Sequence, residues 1–399
     1  MSTVQPVTGN TGHTKSENRV VYPALDGLRT LAFFMVFLQH YMFVQWGTCG
    51  VNLFFVLSGF LITGILWDTR DSPYRARNFY IRRTLRIFPL YYGVFLVLLL
   101  TTPLFHWQWS IYWSAWPLYL GNFLRFLSPS SAQPHSILQI ASDGVLLMHS
   151  LSSKMYVSIA PFWSLCVEEQ FYLLWPWVVF SVWSRRTLLW ICTFVVVILP
   201  FIRFFLQFHL PPWMDQQDIF YRLTPFELDS LLLGALIALI WRGAHRQTML
   251  ALGQKIAPLF LVACAAAYIW RDLHSPDPFE GFLYPSWHWT FGLTLTNFIS
   301  AALLLSALNP GTWIYRFLSL RWMRWVGRIS YGAYVFHDMC DIMAHQAMAS
   351  LFPEFVHGHR FASRLIVAVP ILILTLVTAF LSFRFFESPF LKLKEKLTR

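Results

Sequence analysis

Long apolar stretches recur along almost the whole chain, and they constrain its fold more than any other feature of the sequence. A run of about 17–25 mostly apolar residues can cross the hydrocarbon core of a bilayer as a helix. Hydrophobic residues make up 56% of the 399 residues and charged residues only 12%. A soluble core of this length could not bury so much apolar surface, so lipid must cover it. The sequence therefore predicts an all-α, polytopic transmembrane helix bundle of about ten spans, at 28–46, 50–67, 90–105, 161–183, 187–208, 226–241, 256–270, 288–308, 329–351 and 364–386.

One further apolar stretch, 111–127, is weaker because it carries several tryptophans, a tyrosine and an arginine. Such an aromatic composition is typical of the membrane interface. We therefore expect 111–127 to be an interfacial or re-entrant helix, and the region 106–160 to make no crossing.

The distribution of basic residues predicts the orientation. With the N-terminus inside, 21 of the 30 Lys and Arg residues fall in cytoplasmic segments and five in external ones. Short cytoplasmic loops are enriched in Lys and Arg, so both termini are expected in the cytoplasm. The same rule explains the net charge of +11, and no nucleic-acid partner is expected. We divide the chain into a polar N-terminal tail (1–21), one transmembrane domain (22–390) and a basic tail (391–399).

The five cysteines are widely spaced and form no C-x-x-C pair. Their pattern therefore predicts neither a disulfide framework nor a metal site. Residues 1–20 are polar and lack the apolar core of a cleavable signal peptide. The first apolar stretch is thus expected to serve as an uncleaved anchor.

Two ionisable residues stand out in the first span, Arg29 and His40. Eleven residues advance a helix by about 20° more than three whole turns, so both side chains are expected on one face, about 16 Å apart along the axis. Ionisable groups within spans are costly and often functional. Alternatively, Arg29 is a snorkelling residue at a helix end and His40 a hydrogen-bonded packing residue.

Two more polar groups lie near span ends. Ser164, Glu168 and Tyr172 are spaced at four-residue intervals, so they share a helix face. A cluster of Arg82, Arg83 and Arg86 immediately precedes the third span, and arginines suit phosphate recognition. The alternatives are an interfacial carboxylate in water for Glu168 and positive-inside topology for the arginines. Polar contacts inside the bundle are the alternative for the remaining candidates, which are Glu227, Asp229, His337, Asp338 and Asp341.

Several of these residues belong to motifs that occur in order along the chain. The motifs are Asp26-Gly27-Leu28-Arg29 with His40, the segment 50–62 (GVNLFFVLSGFLI), Arg82-Arg83-Thr84-Leu85-Arg86, Trp163-Ser164-Leu165 with Glu168 and Tyr172, Ile329-Ser330-Tyr331 with His337, and Phe386-Glu387-Ser388-Pro389-Phe390. Together they resemble acyltransferase family 3, the multi-pass bacterial membrane O-acyltransferases that modify surface polysaccharide, lipopolysaccharide or secondary metabolites. The chain departs from the family pattern at Asn52, where Asp is usual, and at Glu227, where Arg is frequent. Asp338 after His337 is also atypical.

The resemblance implies transfer of an acyl group, with acetyl expected, from cytosolic acyl-CoA to a hydroxyl of a sugar or glycan acceptor. It implies an integral protein of the bacterial inner membrane, with acetyl-CoA as co-substrate and no permanently bound cofactor. His40 would act as general base or as transient acyl carrier, with Arg29 and Glu168 beside it in the catalytic group. The substrate-binding residues would be Arg82, Arg83, Arg86, Ser164, Tyr172 and His337.

A transporter or flippase for glycans or small molecules is the alternative function, because such proteins also hold buried charges near the membrane midplane. Transporters tend to show internal repeats and broken helices, and neither feature is evident in the sequence. Transfer of an acyl label distinguishes the two functions.

Overall fold

The computed structural model describes residues 22–42, 49–127, 136–148, 156–211, 214, 216–274, 288–351 and 361–398. Helices dominate these residues, in agreement with the predicted all-α class. The α-helices are α1 (Pro23–Met42), α2 (Cys49–Asp68), α3 (Arg75–Phe105), α4 (Gly121–Leu127), α5 (Ile137–Ser142), α6 (Phe162–Ser181), α7 (Arg185–Leu206), α8 (Gln216–Phe220), α9 (Thr224–Trp241), α10 (Arg246–Ala251), α11 (Ala257–His274), α12 (Leu293–Ala307), α13 (Trp313–Leu318), α14 (Arg321–Leu351), α15 (Phe361–Leu381) and α16 (Ser388–Leu397).

Shorter elements complete the described chain. A 3₁₀ turn covers Ile111–Ala115, and π-helical turns cover Leu252–Ile256, His288–Gly292 and Ser382–Glu387. Strands β1 (Val145–Leu147) and β2 (Tyr156–Ser158) form a small antiparallel hairpin in which Leu146 pairs with Val157.

Each of the ten predicted spans overlaps a helix, and residues 43–46 of the first lie outside the described residues. Among the described residues, seven helical segments are long and apolar enough to cross a membrane: Cys49–Asp68, Arg75–Phe105, Arg185–Leu206, Thr224–Trp241, Arg246–Ala267, Trp289–Ala307 and Arg364–Lys394. The predicted spans 28–46, 161–183 and 329–351 are not among these seven, although α1, α6 and α14 overlap them. These three helices carry most of the ionisable residues that the sequence singled out. Such residues lower the apolar character of a span and mark functional positions within it.

The region between α3 and α6 contacts the bundle through α4, which packs on α6, and through β2, which packs on α14. In the part of it that the structure describes, every element is far shorter than a membrane span. The weak stretch 111–127 is divided into the 3₁₀ turn and α4 rather than forming one helix. Pro117 interrupts backbone hydrogen bonding there, and Tyr119 adopts a left-handed conformation with φ of 56°. The expectation that this region makes no crossing agrees with these short elements.

Helices α2 and α9 pack closely at the centre of the bundle. A Cβ atom added to Gly59 would lie 1.8 Å from the carbonyl oxygen of Leu231, and one added to Gly234 would lie 1.9 Å from that of Val56. Small residues allow the two helix backbones to approach, as is common in membranes. Helices α3 and α7 lie further out and leave side chains such as Leu100 and Trp190 about 70% exposed, as expected of surfaces that face lipid.

An ion pair lies inside the bundle between α7 and α9. The two terminal nitrogens of Arg203 donate to the two carboxylate oxygens of Asp229 at 3.2 and 2.7 Å, and both residues are almost fully buried. Arg203 also donates to the carbonyl oxygen of Phe226 and to Thr294. These bonds satisfy both charges within the protein, so Asp229 makes the polar contact expected of a bundle-interior residue.

Candidate active site

A cavity of about 100 Å³ lies among α1, α2, α3, α6 and α14. Each of these five helices contributes at least one polar side chain. The polar lining residues are Arg29, Ser58, Arg83, Arg86, Ser164, Glu168, Ser330, Tyr331 and Tyr334. The remaining walls are apolar, with several leucine, isoleucine and phenylalanine side chains. A mostly apolar cavity with a few convergent polar groups is the usual form of a ligand site.

Three arginines line this cavity, and two of them form ion pairs with described carboxylates. Arg29 donates to Asp26 at 2.8 Å, one turn earlier on α1. Arg83 lies 3.7 Å from Glu168 and 3.9 Å from Glu169. Arg86, by contrast, is exposed to the cavity and makes no ion pair with any residue that the structure describes. The cavity therefore holds a guanidinium that forms no ion pair with a described residue, which favours an anionic ligand.

The aromatic ring of Tyr172 packs against the guanidinium group of Arg83. The guanidinium carbon of Arg83 lies 3.6 Å from the ring centroid of Tyr172, a cation–π distance. Tyr172 is fully buried and does not line the cavity. Tyr172 and Glu168 lie four residues apart on α6, so both contact Arg83. Only Glu168 also lines the cavity.

The carboxylate of Glu168 is held from two sides. Ser58 on α2 donates a short hydrogen bond to Oε1, and Arg83 on α3 lies near Oε2. Ser58 and Gly59 enter the sequence analysis only as part of the motif 50–62. Gly59 does allow the close contact with α9, whereas Ser58, on the next position, faces Glu168. In the sequence, Ser58 could have been recognised as a hydroxyl side chain within a mostly apolar span.

Ser164 and Tyr334 join α6 to α14 at another part of the cavity. Their hydroxyl oxygens lie 2.6 Å apart, so one hydroxyl donates to the other, and the carbonyl oxygen of Pro161 lies 3.0 Å from the Ser164 oxygen and 3.2 Å from the Tyr334 oxygen, where it accepts from the remaining hydroxyl hydrogen. Sequence reasoning missed Tyr334. Its signal is a tyrosine one helical turn before His337 and one turn after Ser330, which gives α14 a polar face.

His40 and His337 lie next to each other, outside the lining of the cavity. Their ring centroids are 5.1 Å apart and their planes are inclined by 73°. His40 is exposed in the last turn of α1, whereas His337 is fully buried in α14. The ring of Tyr334, which does line the cavity, is 5.4 Å from that of His337. Tyr334 therefore connects the histidine pair with the cavity.

The structure thus brings together five of the residues predicted from the sequence. Arg29, Arg83, Arg86, Ser164 and Glu168 all line the cavity. The other four occupy different places: Tyr172 lies beneath Arg83, His40 and His337 form the neighbouring pair, and Arg82 is turned away.

Arg82 differs from its neighbours because of its position around α3. Consecutive residues of a helix point about 100° apart, so Arg82 and Arg83 face different surroundings. The Nε atom of Arg82 donates to the hydroxyl of Thr398 at 3.1 Å, just after α16. A role for Arg82 in phosphate binding stays a prediction from the sequence.

Comparison with known proteins identifies the family. A model of the acyltransferase domain matches residues 22–384. The peptidoglycan O-acetyltransferase OatA of Listeria monocytogenes is 27% identical over 392 residues, which cover 95% of this chain and 57% of that protein. YrhL of Bacillus subtilis, named as a candidate peptidoglycan O-acetyltransferase, is 27% identical over 94% of this chain and 56% of its own length.

A candidate O-acetyltransferase of Staphylococcus aureus (strain COL) is 25% identical over 96% of this chain and 59% of its own length. The chain thus spans less than three-fifths of the length of these curated relatives. No solved structure matches it. Because the family match covers nearly the whole bundle, the chain belongs to acyltransferase family 3, as an integral, multi-pass membrane protein.

Proposed function

We propose that this protein transfers an acyl group, in particular acetyl, from cytosolic acyl-CoA to a hydroxyl of a sugar or glycan in the bacterial inner membrane. The observation that carries the proposal is the cavity that Arg29, Arg83 and Arg86 line, in which Arg86 forms no ion pair with a described carboxylate. The relatives named as peptidoglycan O-acetyltransferases support the acetyl group and the glycan acceptor.

The arginines would bind the phosphates of the donor. Arg83 and Arg86 lie on α3 immediately after a basic loop that the charge distribution assigns to the cytoplasm. Coenzyme A is anionic, and guanidinium groups bind phosphate through two parallel hydrogen bonds. With the phosphates at these arginines, the flexible pantetheine arm would carry the thioester along the bundle toward the histidine pair, about 16 Å further along α1 from Arg29.

In a direct transfer, His40 would act as general base. It would take the proton of the acceptor hydroxyl as the hydroxyl oxygen attacks the thioester carbon. The carbon–sulfur bond then breaks, and the protonated His40 returns its proton to the leaving thiolate. The products are an ester and free coenzyme A.

A two-step transfer is equally compatible with these residues. A ring nitrogen of His40 would attack the thioester carbon, with release of coenzyme A as the thiol, to form an acyl-imidazole. The acceptor hydroxyl would then attack that acyl group and give up its proton as the ring is restored. Trapping of a labelled acyl-enzyme that is absent in His40→Gln would favour this route.

Glu168 was predicted to act beside His40, and the structure shows which groups contact its carboxylate. The partners of its carboxylate are Ser58 and Arg83, so its support for His40 stays a prediction. In this proposal Glu168 instead orients Arg83 toward the donor and limits the positive charge of the cavity.

Transfer of radiolabel from acetyl-CoA to a glycan acceptor by the purified protein tests the proposal. We expect labelled ester to form with wild-type protein and to be lost in His40→Ala protein that is equally well folded. The transporter alternative predicts acceptor binding or movement without any labelled ester. Wild-type protein that binds acetyl-CoA and a peptidoglycan fragment yet forms no ester would contradict acyl transfer.

A further inference from the structure

The ring of His337 has a defined tautomer. Its Nδ1 lies 2.7 Å from the backbone carbonyl oxygen of Tyr334, three residues earlier on α14. A carbonyl oxygen can only accept a hydrogen bond, so Nδ1 must carry the hydrogen. In the neutral ring, Nε2 then has a free lone pair and is an acceptor. The local fold of α14 thus fixes which nitrogen of His337 is available.

That available nitrogen has no partner among the residues that the structure describes, although it is completely buried. A buried acceptor without a hydrogen bond is costly, and in a native protein it points to a function or to an absent partner. The surrounding bonds hold the residue in place: Tyr41 donates to the carbonyl oxygen of His337 at 2.7 Å, and the ring packs edge-on against Phe33. His337 is therefore rigid, and its Nε2 is left open.

The distance between the two histidine rings suits a hydrogen bond. A ring nitrogen lies about 1.1 Å from its centroid, so an N–H···N bond of about 2.9 Å separates two centroids by about 5 Å. The observed separation of His40 and His337 is 5.1 Å. Because His40 is exposed and His337 is fixed, a rotation of the His40 ring alone can direct one of its nitrogens at Nε2.

We infer that His337 is a positioning residue for His40, whose Nε2 accepts a hydrogen bond from the imidazolium that His40 becomes during acyl transfer. The inference rests on the proposed function, and it assigns to a neutral histidine the supporting role that the sequence suggested for Glu168. His40 takes the hydroxyl proton on one nitrogen, and the hydrogen on its other nitrogen points at His337. When His40 returns its proton to the thiolate, His337 is unchanged.

Other titratable and charged groups surround the pair. Tyr41 on α1 and Tyr334 on α14 are engaged as described above. Asp338 follows His337 and accepts a hydrogen bond from Ser158. Arg364, near the start of α15, donates to the carbonyl oxygen of Met42 at 3.5 Å. The His337 variants leave all of these groups in place. A difference in pH dependence between these variants and wild type therefore reports on His337.

Three full-length variants test the inference, each purified and assayed with labelled acetyl-CoA. His337→Phe keeps a planar ring but has no acceptor, and His337→Gln restores an acceptor on a side chain that reaches the position of Nε2. His209→Phe is the control, because it makes the same exchange of histidine for phenylalanine at an exposed position just after α7.

We expect His337→Phe to lower kcat by about ten- to a hundredfold, the effect of losing one hydrogen bond to a charged group, with the KM for acetyl-CoA unchanged. The acid limb of its pH–rate profile should move to lower pH, because the imidazolium of His40 loses a stabilising contact. His337→Gln should recover most of the rate and the original acid limb, and His209→Phe should resemble wild type.

A His337→Phe enzyme with wild-type kcat and pH profile would overturn the inference, as would His337→Gln impaired to the same degree as His337→Phe. If the Phe variant does not fold, His337→Leu is judged by the same criteria. Activity in His40→Ala would instead contradict the proposed base itself. Loss of activity in His40→Ala together with normal activity in His337→Phe would contradict the pairing alone.

Discussion

The side-chain amide of Asn52 on α2 donates to the carboxylate of Glu227 on α9 at 3.2 Å. These are two of the positions at which the chain departs from the pattern of its family, so the two departures contact each other. Both residues are fully buried. The same Asn52 amide donates to Asn297 at 2.9 Å, and Ser230 donates to Glu227 at 3.2 Å. A neutral amide and a carboxyl group thus occupy the place where the family pattern has opposite charges.

The contact predicts that substitutions at 52 and 227 are coupled. Glu227→Arg alone should destabilise the protein by about 3–5 kcal/mol, because it buries an unpaired charge beside a neutral amide. The double variant Asn52→Asp, Glu227→Arg should recover most of that loss by forming an ion pair. Thermal unfolding of the detergent-purified variants measures both effects, with Glu227→Gln as a neutral control of the same size. Equal stability of the single and double Arg variants would show that the two positions are independent.

The cavity predicts different roles for two neighbouring arginines. Arg86→Ala should raise the KM for acetyl-CoA by about ten- to a hundredfold, since a charge-assisted hydrogen bond is worth about 1.5–3 kcal/mol. Arg82→Ala removes the same charge from the same helix, but its guanidinium is bound to Thr398. The sequence predicts a phosphate-binding role for Arg82 as well, whereas its contact with Thr398 favours a nearly unchanged KM, so Arg82→Ala is the matched comparison that separates these two expectations. Steady-state kinetics would contradict this assignment if Arg82→Ala had the larger effect.

Substitution of His40 should affect the chemical step. General-base catalysis is typically worth about 10²–10⁴-fold, so His40→Ala should lose nearly all transfer while still binding acetyl-CoA. Wild-type activity should fall as the pH is lowered, because a protonated imidazole cannot accept a proton. Glu168→Gln should lower transfer less severely and should raise the KM for acetyl-CoA, because it weakens the hold on Arg83. Near-normal transfer by well-folded His40→Ala would contradict the assignment of His40 as the catalytic base.

The ion pair of Arg203 with Asp229 predicts a loss of stability without a direct effect on catalysis. Arg203→Met leaves Asp229 buried without its cation and should lower the free energy of unfolding by about 3–5 kcal/mol. Adding Asp229→Leu removes the remaining charge and should recover most of that loss. Melting temperatures in detergent compare the two variants. An Arg203→Met protein that is as stable as wild type would mean that Asp229 binds another partner or becomes protonated.

The charge distribution predicts the topology. A reporter protein that is active only in the cytoplasm should be active when it is fused after Arg399. Single cysteines introduced in the cytoplasmic loop 68–89 should resist an impermeant thiol reagent in intact cells. Cysteines placed at 209–211, beyond the outer end of α7, should react. External labelling of the C-terminus would reverse the orientation and with it the side of the membrane that supplies the donor.

The sequence alone determined the class of fold and the family. Each span must satisfy its own backbone hydrogen bonds and match the thickness of the bilayer, so each can be recognised without knowing its neighbours. The motifs around Arg29, His40 and Glu168 then identified the family because their order is read directly from the chain. The side of each helix that carries polar residues was also predictable from its 3.6-residue period.

Only the tertiary structure decided which polar faces meet. Helical periodicity shows that Ser164 and Glu168 share a face, but it cannot show that Ser58 and Arg83 lie opposite them on other helices. Likewise, Arg82 and Arg83 are adjacent in the sequence, yet one faces α16 and the other the cavity. The contacts of His40 with His337 and of Asn52 with Glu227 join residues 297 and 175 positions apart. Such partners depend on helix packing, in which small residues such as Gly59 and Gly234 set how closely two helices approach.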